Sequence, residues 1–448
     1  MTVSAFENPL LSGLFGDAEL ADLLCAEAQV GRMIAVEAAL ARAQGRTGVI
    51  PVRAAQEISD ALGLCSVAPA DLTRGTASAG VPVPALVAAL RGQIGGEAAH
   101  WLHWGATSQD IVDCATVLQL RDVLGVIETR LTGVIDALQA ASQQHAGQLM
   151  AARTRSQIAT PITFGLRIAR WAQPLIAIMA ELPALRARLL RVQFGGASGA
   201  NTAVAPHGAA ISAALAEELG LADSPSWHGD RSAMIALSAW LGQIGAALGK
   251  LGRDLILMGR SEAGEALAGA GGGSSTMPQK ANPVQAEAIV SLAGFLAAQQ
   301  GAMVVAASPA EERDGALWGL EWLVLPNMLL ATGAALRHAV DLAETLRARP
   351  ENMAAMLDLG NGTVWAEALS FALMAHMPRA EAQACMKQAI AQAQTTGTGL
   401  QQALAALPEV ERLSIDWAVW TSPETVAEPS RRMAQSVFAD WRADREKT

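Results

Sequence analysis

The chain contains no tyrosine, and only 4% of its 448 residues are aromatic. Charge is thin as well, at 17%, and acidic residues outnumber basic ones by 42 to 32, a formal net charge of −10. A general nucleic-acid surface needs a basic excess, so this balance argues against one. An anionic ligand must instead find a locally positive pocket. The four cysteines, Cys25, Cys65, Cys114 and Cys385, are scattered without CxxC or metal-ligand spacing. That argues against a disulfide framework or a cysteine metal site and fits inert thiols in a reducing cytoplasm. The N-terminus also lacks the basic-then-apolar layout of a signal peptide. The expected location is cytoplasmic.

What the sequence has in quantity is alanine and leucine. With β-branched and aromatic residues sparse, that composition favours helix. The expected fold is all-α. A chain of this length can bury a large core and divides into two or three domains. Asp17 to about Gln44 carries apolar residues at helical spacing, with Asp17 as N-cap and Gly45 as the stop. Pro51 begins another run, and prolines 82 and 84 with glycines 92, 95 and 96 break the next portion. Residues 1–105 therefore read as a small helical domain.

From Ser108 to about Arg349 long helical patterns dominate. Breaks are predicted near Thr160-Pro161, Gly195 to Pro206, Ser224 to Gly229, Gly269 to Pro283 and Ser308 to Trp318. Residues 106–349 thus read as an elongated antiparallel bundle. After Pro350 the segments shorten, with breaks at Gly360-Asn361-Gly362 and Thr395 to Gly399, which predicts a C-terminal helical domain over 350–448.

Ser232 to Gly249 and Ala288 to Ala310 contain no charged side chain, and the second is long enough to span a bilayer of roughly 30 Å. Gln299 and Gln300 interrupt it, charged residues close both ends, and no aromatic belt flanks it. A helix apolar all round also suits the centre of a large soluble bundle. The reading is a soluble protein, with no membrane partner, that covers these helices by oligomerising.

The stretch from Gly271 to Pro283, GGGSSTMPQKANP, combines three glycines, hydroxyls, a lysine and an asparagine just before a largely uncharged helical segment. Removing a proton beside a carboxylate leaves a carbanion whose charge spreads onto the carboxylate oxygens. Lys280 and Asn282 supply the cation and donor such an intermediate needs. Desolvation under a closed loop beside an ammonium favours a serine alkoxide at Ser274 or Ser275. The residues alone equally allow a solvated linker ending in a helix start, with Asn282 as N-cap, Pro283 at the first position and Gln285 completing a capping box. The two readings are compatible, because a helix N-terminus also favours anions.

GSSTMPQKANP closely resembles the signature loop of the fumarase/aspartase superfamily, GSSxMPxKxNP. His103-Trp104-Gly105-Ala106-Thr107-Ser108-Gln109-Asp110 resembles that superfamily's first conserved block. Arg153-Thr154-Arg155-Ser156-Gln157 through Pro161 and Gly165 resembles its second. The blocks fall in the family's order and spacing, over essentially the whole chain.

This resemblance implies three helical domains, the middle one giving five long helices to a twenty-helix homotetramer core. Each active site would be built from blocks of three subunits and act on a small polycarboxylate. By resemblance Ser274 transfers the proton, and Lys280 and Asn282 stabilise the aci-carboxylate intermediate. Thr107, Ser108, Gln109 and Ser275 bind substrate carboxylates through hydroxyl and amide donors. His103 either lines the pocket or is structural. Neither metal nor cofactor is expected.

Most lyases of the group carry Thr-His in the second block, where this chain has Thr154-Arg155. With a pKa above about 12, arginine is no general acid near neutrality. It can hold a carboxylate through a bidentate ion pair; an intersubunit salt bridge is the alternative. A carboxylate that leaves or attacks needs little acid assistance. Intramolecular lactonisation of a carboxylated muconate is therefore the expected reaction. Asn8-Pro9-Leu10-Leu11 through Gly16-Asp17, Gln193 to Ala197, Arg313 to Trp322 and the tail tryptophans 417 and 420 resemble the cycloisomerase branch. Adenylosuccinate-type lyases share the first block, but the missing tyrosine removes their N-terminal Arg-Tyr pair. Such a lyase and a catalytically silent relative are the competing readings.

Overall fold

The computed structural model describes residues 3–273, 276–439 and 441. Among the described residues it is a helical fold with two small antiparallel sheets of two strands each. Five long helices carry it: α1 (Ser108–Gln144), α2 (Phe164–Leu189), α3 (Ser232–Met258), α4 (Val284–Ala306) and α5 (Gly315–Glu344). Two compact units result, one from residues 1–130, 178–246 and 291–336, the other from 131–177, 247–290 and 337–448.

In the first unit, the predicted helix from Asp17 is two helices, Ala18–Leu24 and Ala26–Arg46. Asp17 does cap the first, accepting from the Leu20 N–H at 3.0 Å. Cys25 then turns extended, and its Sγ takes the Ala28 N–H at 3.4 Å, so one thiol ends a helix and starts the next. Arg130 grips the buried Asp17 carboxylate. The helix Ala26–Arg46 packs on Val52–Leu62 and Gly208–Leu219, burying Met33, Leu40, Ile58 and Leu215. Helix α5 contains Pro326, which costs one intrahelical N–H. The carbonyl left without that donor is that of Trp322; one residue on, Asn327 Nδ2 adds a side-chain bond to the Leu323 carbonyl at 2.8 Å.

The second unit holds a hairpin that the helical pattern did not predict: β1 (Leu149–Thr154) against β2 (Gln157–Thr163). The break foreseen at Thr160-Pro161 lies inside its second strand. Its turn is Arg155-Ser156, with φ of 49° and 66°. A two-residue turn of type I′, as here, needs both residues left-handed, a place usually taken by Asn-Gly. The C-terminal helices Ala366–Met374, Arg379–Thr396 and Leu400–Ala405 bury their own core of Leu369, Leu373, Ala389 and Leu404.

Among the described residues three helices, α3, α4 and α5, are long and apolar enough to cross a membrane. Burial within the protein accounts for the apolar windows of α3 and α5, 61% and 67% covered, but only 33% of that in α4 is covered. Val304 and Val305 of α4 are half-exposed.

Candidate active site

The first conserved block is tethered loop leading into α1. Gln44 Nε2 holds the Trp104 carbonyl at 2.6 Å, and Arg91 holds that of Leu102 at 3.0 Å. Gly105 sits at φ 67°, and a Cβ there would meet Val204 Cγ1 at 2.3 Å. His103, also left-handed at φ 63°, points its Nδ1 to Glu37 Oε1 at 2.7 Å. Burial lowers the imidazole pKa, but hydrogen bonding and charge from Glu37, with Asp110 nearby, outweigh it and leave it raised.

Asp110, 1% exposed, is the hub behind this loop. Its Oδ1 accepts from the Gly195 N–H at 2.9 Å, from Gln193 Nε2 at 3.3 Å, and meets His228 Nε2 at 2.9 Å. Its Oδ2 accepts from the N–H groups of Thr107 and Gly196, both at 3.0 Å. One carboxylate therefore caps α1 and pins the segments around residues 195 and 228. Behind it Arg231, 3% exposed, is forked between Asp113 (2.7 and 3.1 Å) and Glu321 (2.6 and 3.0 Å). That joins α1, the start of α3 and α5. Cys114, fully buried beside Gln193, has its thiol pKa pushed up by burial, as an inert thiol requires.

Thr107 and Ser108 are half-buried at the α1 N-terminus. Gln109 is buried, and its amide is committed to the protein: Nε2 donates to Asp113 and to the His228 carbonyl, and Oε1 accepts from Arg313 Nε at 2.9 Å. Arg313 also donates to Thr107 Oγ1 at 3.2 Å and to the Ala197 carbonyl at 3.1 Å. Among the described residues its guanidinium meets only neutral oxygens, so a positive charge stands beside Thr107 without a carboxylate. The sequence singled out the run containing Arg313 but gave the residue no role; nothing local in the pattern marks one.

The second unit holds the remaining candidates. Arg155 is exposed at the tip of the β1–β2 hairpin. Ser274 and Ser275 lie outside the described residues. Around them the loop is tied at its base: Gly272 N–H donates to the Asn282 carbonyl at 2.8 Å and Asn282 N–H to that of Gly272 at 2.7 Å. A Cβ on Gly272 would meet Val284 Cγ2 at 2.3 Å, so the close approach needs glycine. This pairing corrects the expected helix start. Asn282 is held extended, Pro283 precedes the first residue of α4, and Gln285 donates to Asp341 at 3.1 Å rather than closing a capping box. Lys280 is exposed, its N–H bonded to the Met277 carbonyl at 3.0 Å. The structure thus brings His103, Thr107, Ser108 and Gln109 together in one unit, and places Arg155, Lys280 and Asn282 in the other.

A helical fold with these three blocks defines a class, and comparison with known proteins gives the same one. A model of the lyase family matches residues 7–296. The chain belongs to this family, within the fumarase/aspartase superfamily. It is 38% identical to 3-carboxy-cis,cis-muconate cycloisomerase of Pseudomonas aeruginosa, over 86% of each chain. It is 35% identical to nitrosuccinate lyase of Streptomyces davaonensis, over 91% of this chain and 88% of that one. The crystal structure of 3-carboxy-cis,cis-muconate lactonizing enzyme from Pseudomonas putida superposes with a TM-score of 0.87 at 33% identity, covering 96% of this chain and all of that one.

Proposed function

We propose that this protein is a cycloisomerase that lactonises 3-carboxy-cis,cis-muconate in aromatic (protocatechuate) catabolism. One substrate carboxylate adds to a carbon–carbon double bond, and a proton is delivered to the neighbouring carbon, giving a carboxymuconolactone. The observation that carries the reading is Arg155. A side chain that stays charged occupies the position of the lyase histidine, and a left-handed turn displays it at a hairpin tip. Such a site orients or neutralises a carboxylate; it cannot protonate a departing amine.

In this reading Ser274 gives the proton, while Lys280 and Asn282 stabilise the aci-carboxylate formed as it moves. Thr107, Ser108 and Ser275 bind substrate carboxylates, and His103 lines the pocket. Arg313 adds a cation beside Thr107, and Gln109 serves by holding it. The working form is a soluble, cytoplasmic homotetramer with three helical domains per chain (1–105, 106–349, 350–448) and active sites shared between subunits. The sparsely covered apolar face of α4 supports burial against other copies.

Purified protein incubated with 3-carboxymuconate, adenylosuccinate and nitrosuccinate, each followed by ultraviolet absorbance, tests the assignment. Turnover of the muconate is expected. Turnover of either succinate alone would overturn it, and inertness towards all three would favour a silent relative.

A further inference from the structure

A second concentration of positive charge lies in the second unit, beside the hairpin that displays Arg155, and none of its charged side chains has been given a catalytic role above. A cavity of about 480 Å3 opens beside the β1–β2 hairpin, between the first turns of α2 and the C-terminal end of α3. Its walls include Arg153, Arg167, Arg170, Lys250 and Arg260, against only two carboxylates, Asp254 and Glu265. That is a surplus of three cations in a chain whose net charge is −10.

The two carboxylates are already engaged. Glu265, fully buried, takes Arg153 at 2.8 Å. Asp254 takes Lys250 and the Trp171 Nε1–H, the latter at 2.8 Å. Arg260 donates to the Leu257 carbonyl at 3.2 Å, and its sole ion pair among the described residues is a long contact of 3.5 Å to the exposed Glu262. Arg167 is 15% exposed, and its sole ion pair among the described residues is a 3.9 Å approach to that same Asp254. Burial, with Arg153 and Arg170 close by, lowers the Arg167 pKa despite the two carboxylates. Arg170 has no ion pair among the described residues. A guanidinium as buried as that of Arg167 is costly when its one carboxylate is distant and shared, and the missing partner is an anion.

We propose that this cavity is an accessory binding site for a compact multivalent oxyanion, a polycarboxylate or a polyphosphate, held between Arg167, Arg170 and Arg260. The volume suits a small ligand rather than a single ion. Guanidinium forks match both carboxylate and phosphate geometry. The site goes beyond the lactonising activity and does not depend on it. Its wall includes Thr154, next to Arg155, so an occupant would bear on the hairpin that displays that arginine.

Citrate and pyrophosphate, titrated separately into the full-length protein by calorimetry at low ionic strength, test the proposal. Saturable binding of at least one is expected, and which one binds assigns the oxyanion class. Arg170→Gln/Arg260→Gln, two exposed positions whose loss should not affect folding, should weaken it about tenfold or more. Arg167→Gln should do the same. Lys280→Met, in the catalytic loop, should leave it unchanged. The proposal fails if neither anion saturates, if the arginine variants bind as well as the unaltered chain, or if Lys280→Met abolishes binding. None of these outcomes bears on muconate turnover, so the two readings stand or fall separately.

Discussion

Replacing Arg155-Ser156 with Asn-Gly should make the protein more stable and less active at once. Both residues are left-handed, at φ of 49° and 66°. Left-handed backbone costs an ordinary L-residue about 1–2 kcal/mol. Asn-Gly is the pair this turn prefers, so most of that strain is relieved at both positions. Glycine returns about 0.5–1 kcal/mol through the greater freedom of the unfolded chain. The expected net gain is about 1–3 kcal/mol, read as a higher denaturant midpoint with an unchanged slope. Turnover should move the other way. A bidentate guanidinium–carboxylate contact contributes about 3 kcal/mol, so kcat/KM should fall about a hundredfold. Ser156→Gly alone should keep part of the stability gain and the activity. If the double variant is no more stable, the turn stores no strain. If it turns over substrate normally but loses its oligomer, Arg155 is an intersubunit salt bridge and the substrate role is wrong.

Asp110→Asn keeps one acceptor oxygen but turns an NH2 towards two backbone N–H groups, and should cost about 2–4 kcal/mol. Amide exchange should accelerate at Thr107, Gly195 and Gly196, and unchanged protection there would contradict the hub role. Ser274→Ala should lower turnover by several orders of magnitude with the oligomer intact, and near-normal rates would remove Ser274 from the mechanism. Lys280→Met should lower kcat; a rise in KM alone would make Lys280 a binding residue. His103 has a raised pKa in the folded protein. Its contribution to stability is therefore complete below its unfolded value of about 6.5 and is lost as pH rises through the folded one. The Tm difference between wild type and His103→Gln should shrink on going alkaline; a constant difference would mean the pair with Glu37 does not titrate in that range.

Much of this protein is legible in its sequence because helices announce themselves locally. Breaks at Gly195 to Pro206, Ser224 to Gly229 and Gly269 to Pro283 fall between long helices, as composition and periodicity predict. The β1–β2 hairpin was illegible because its turn is Arg-Ser rather than Asn-Gly, so the strongest short-range hairpin signal is missing. Cys25 escaped because a thiol is a poor capping residue and the apolar spacing runs through it. The sequence motifs located the candidate blocks but not what holds them. Asp110 finds Gly195 85 residues away and His228 at 118, while Arg313 reaches Gln109 across 204. No periodicity encodes such pairings. Asn282 misled for a different reason: its backbone pairs with Gly272, and that tie displaces the helix start by one residue.

The double hydrogen bond between Gly272 and Asn282 also divides the loop into a paired base and the span that it closes off. Asn282 belongs to the seam and keeps its place ahead of α4, whereas Lys280 lies on the far side of it, in solvent. In the proposed mechanism both groups serve the same intermediate, so their spacing depends on this one tie. A substitution that opens the seam should therefore disturb the amide and the ammonium together, whereas one at Lys280 should leave the pairing intact.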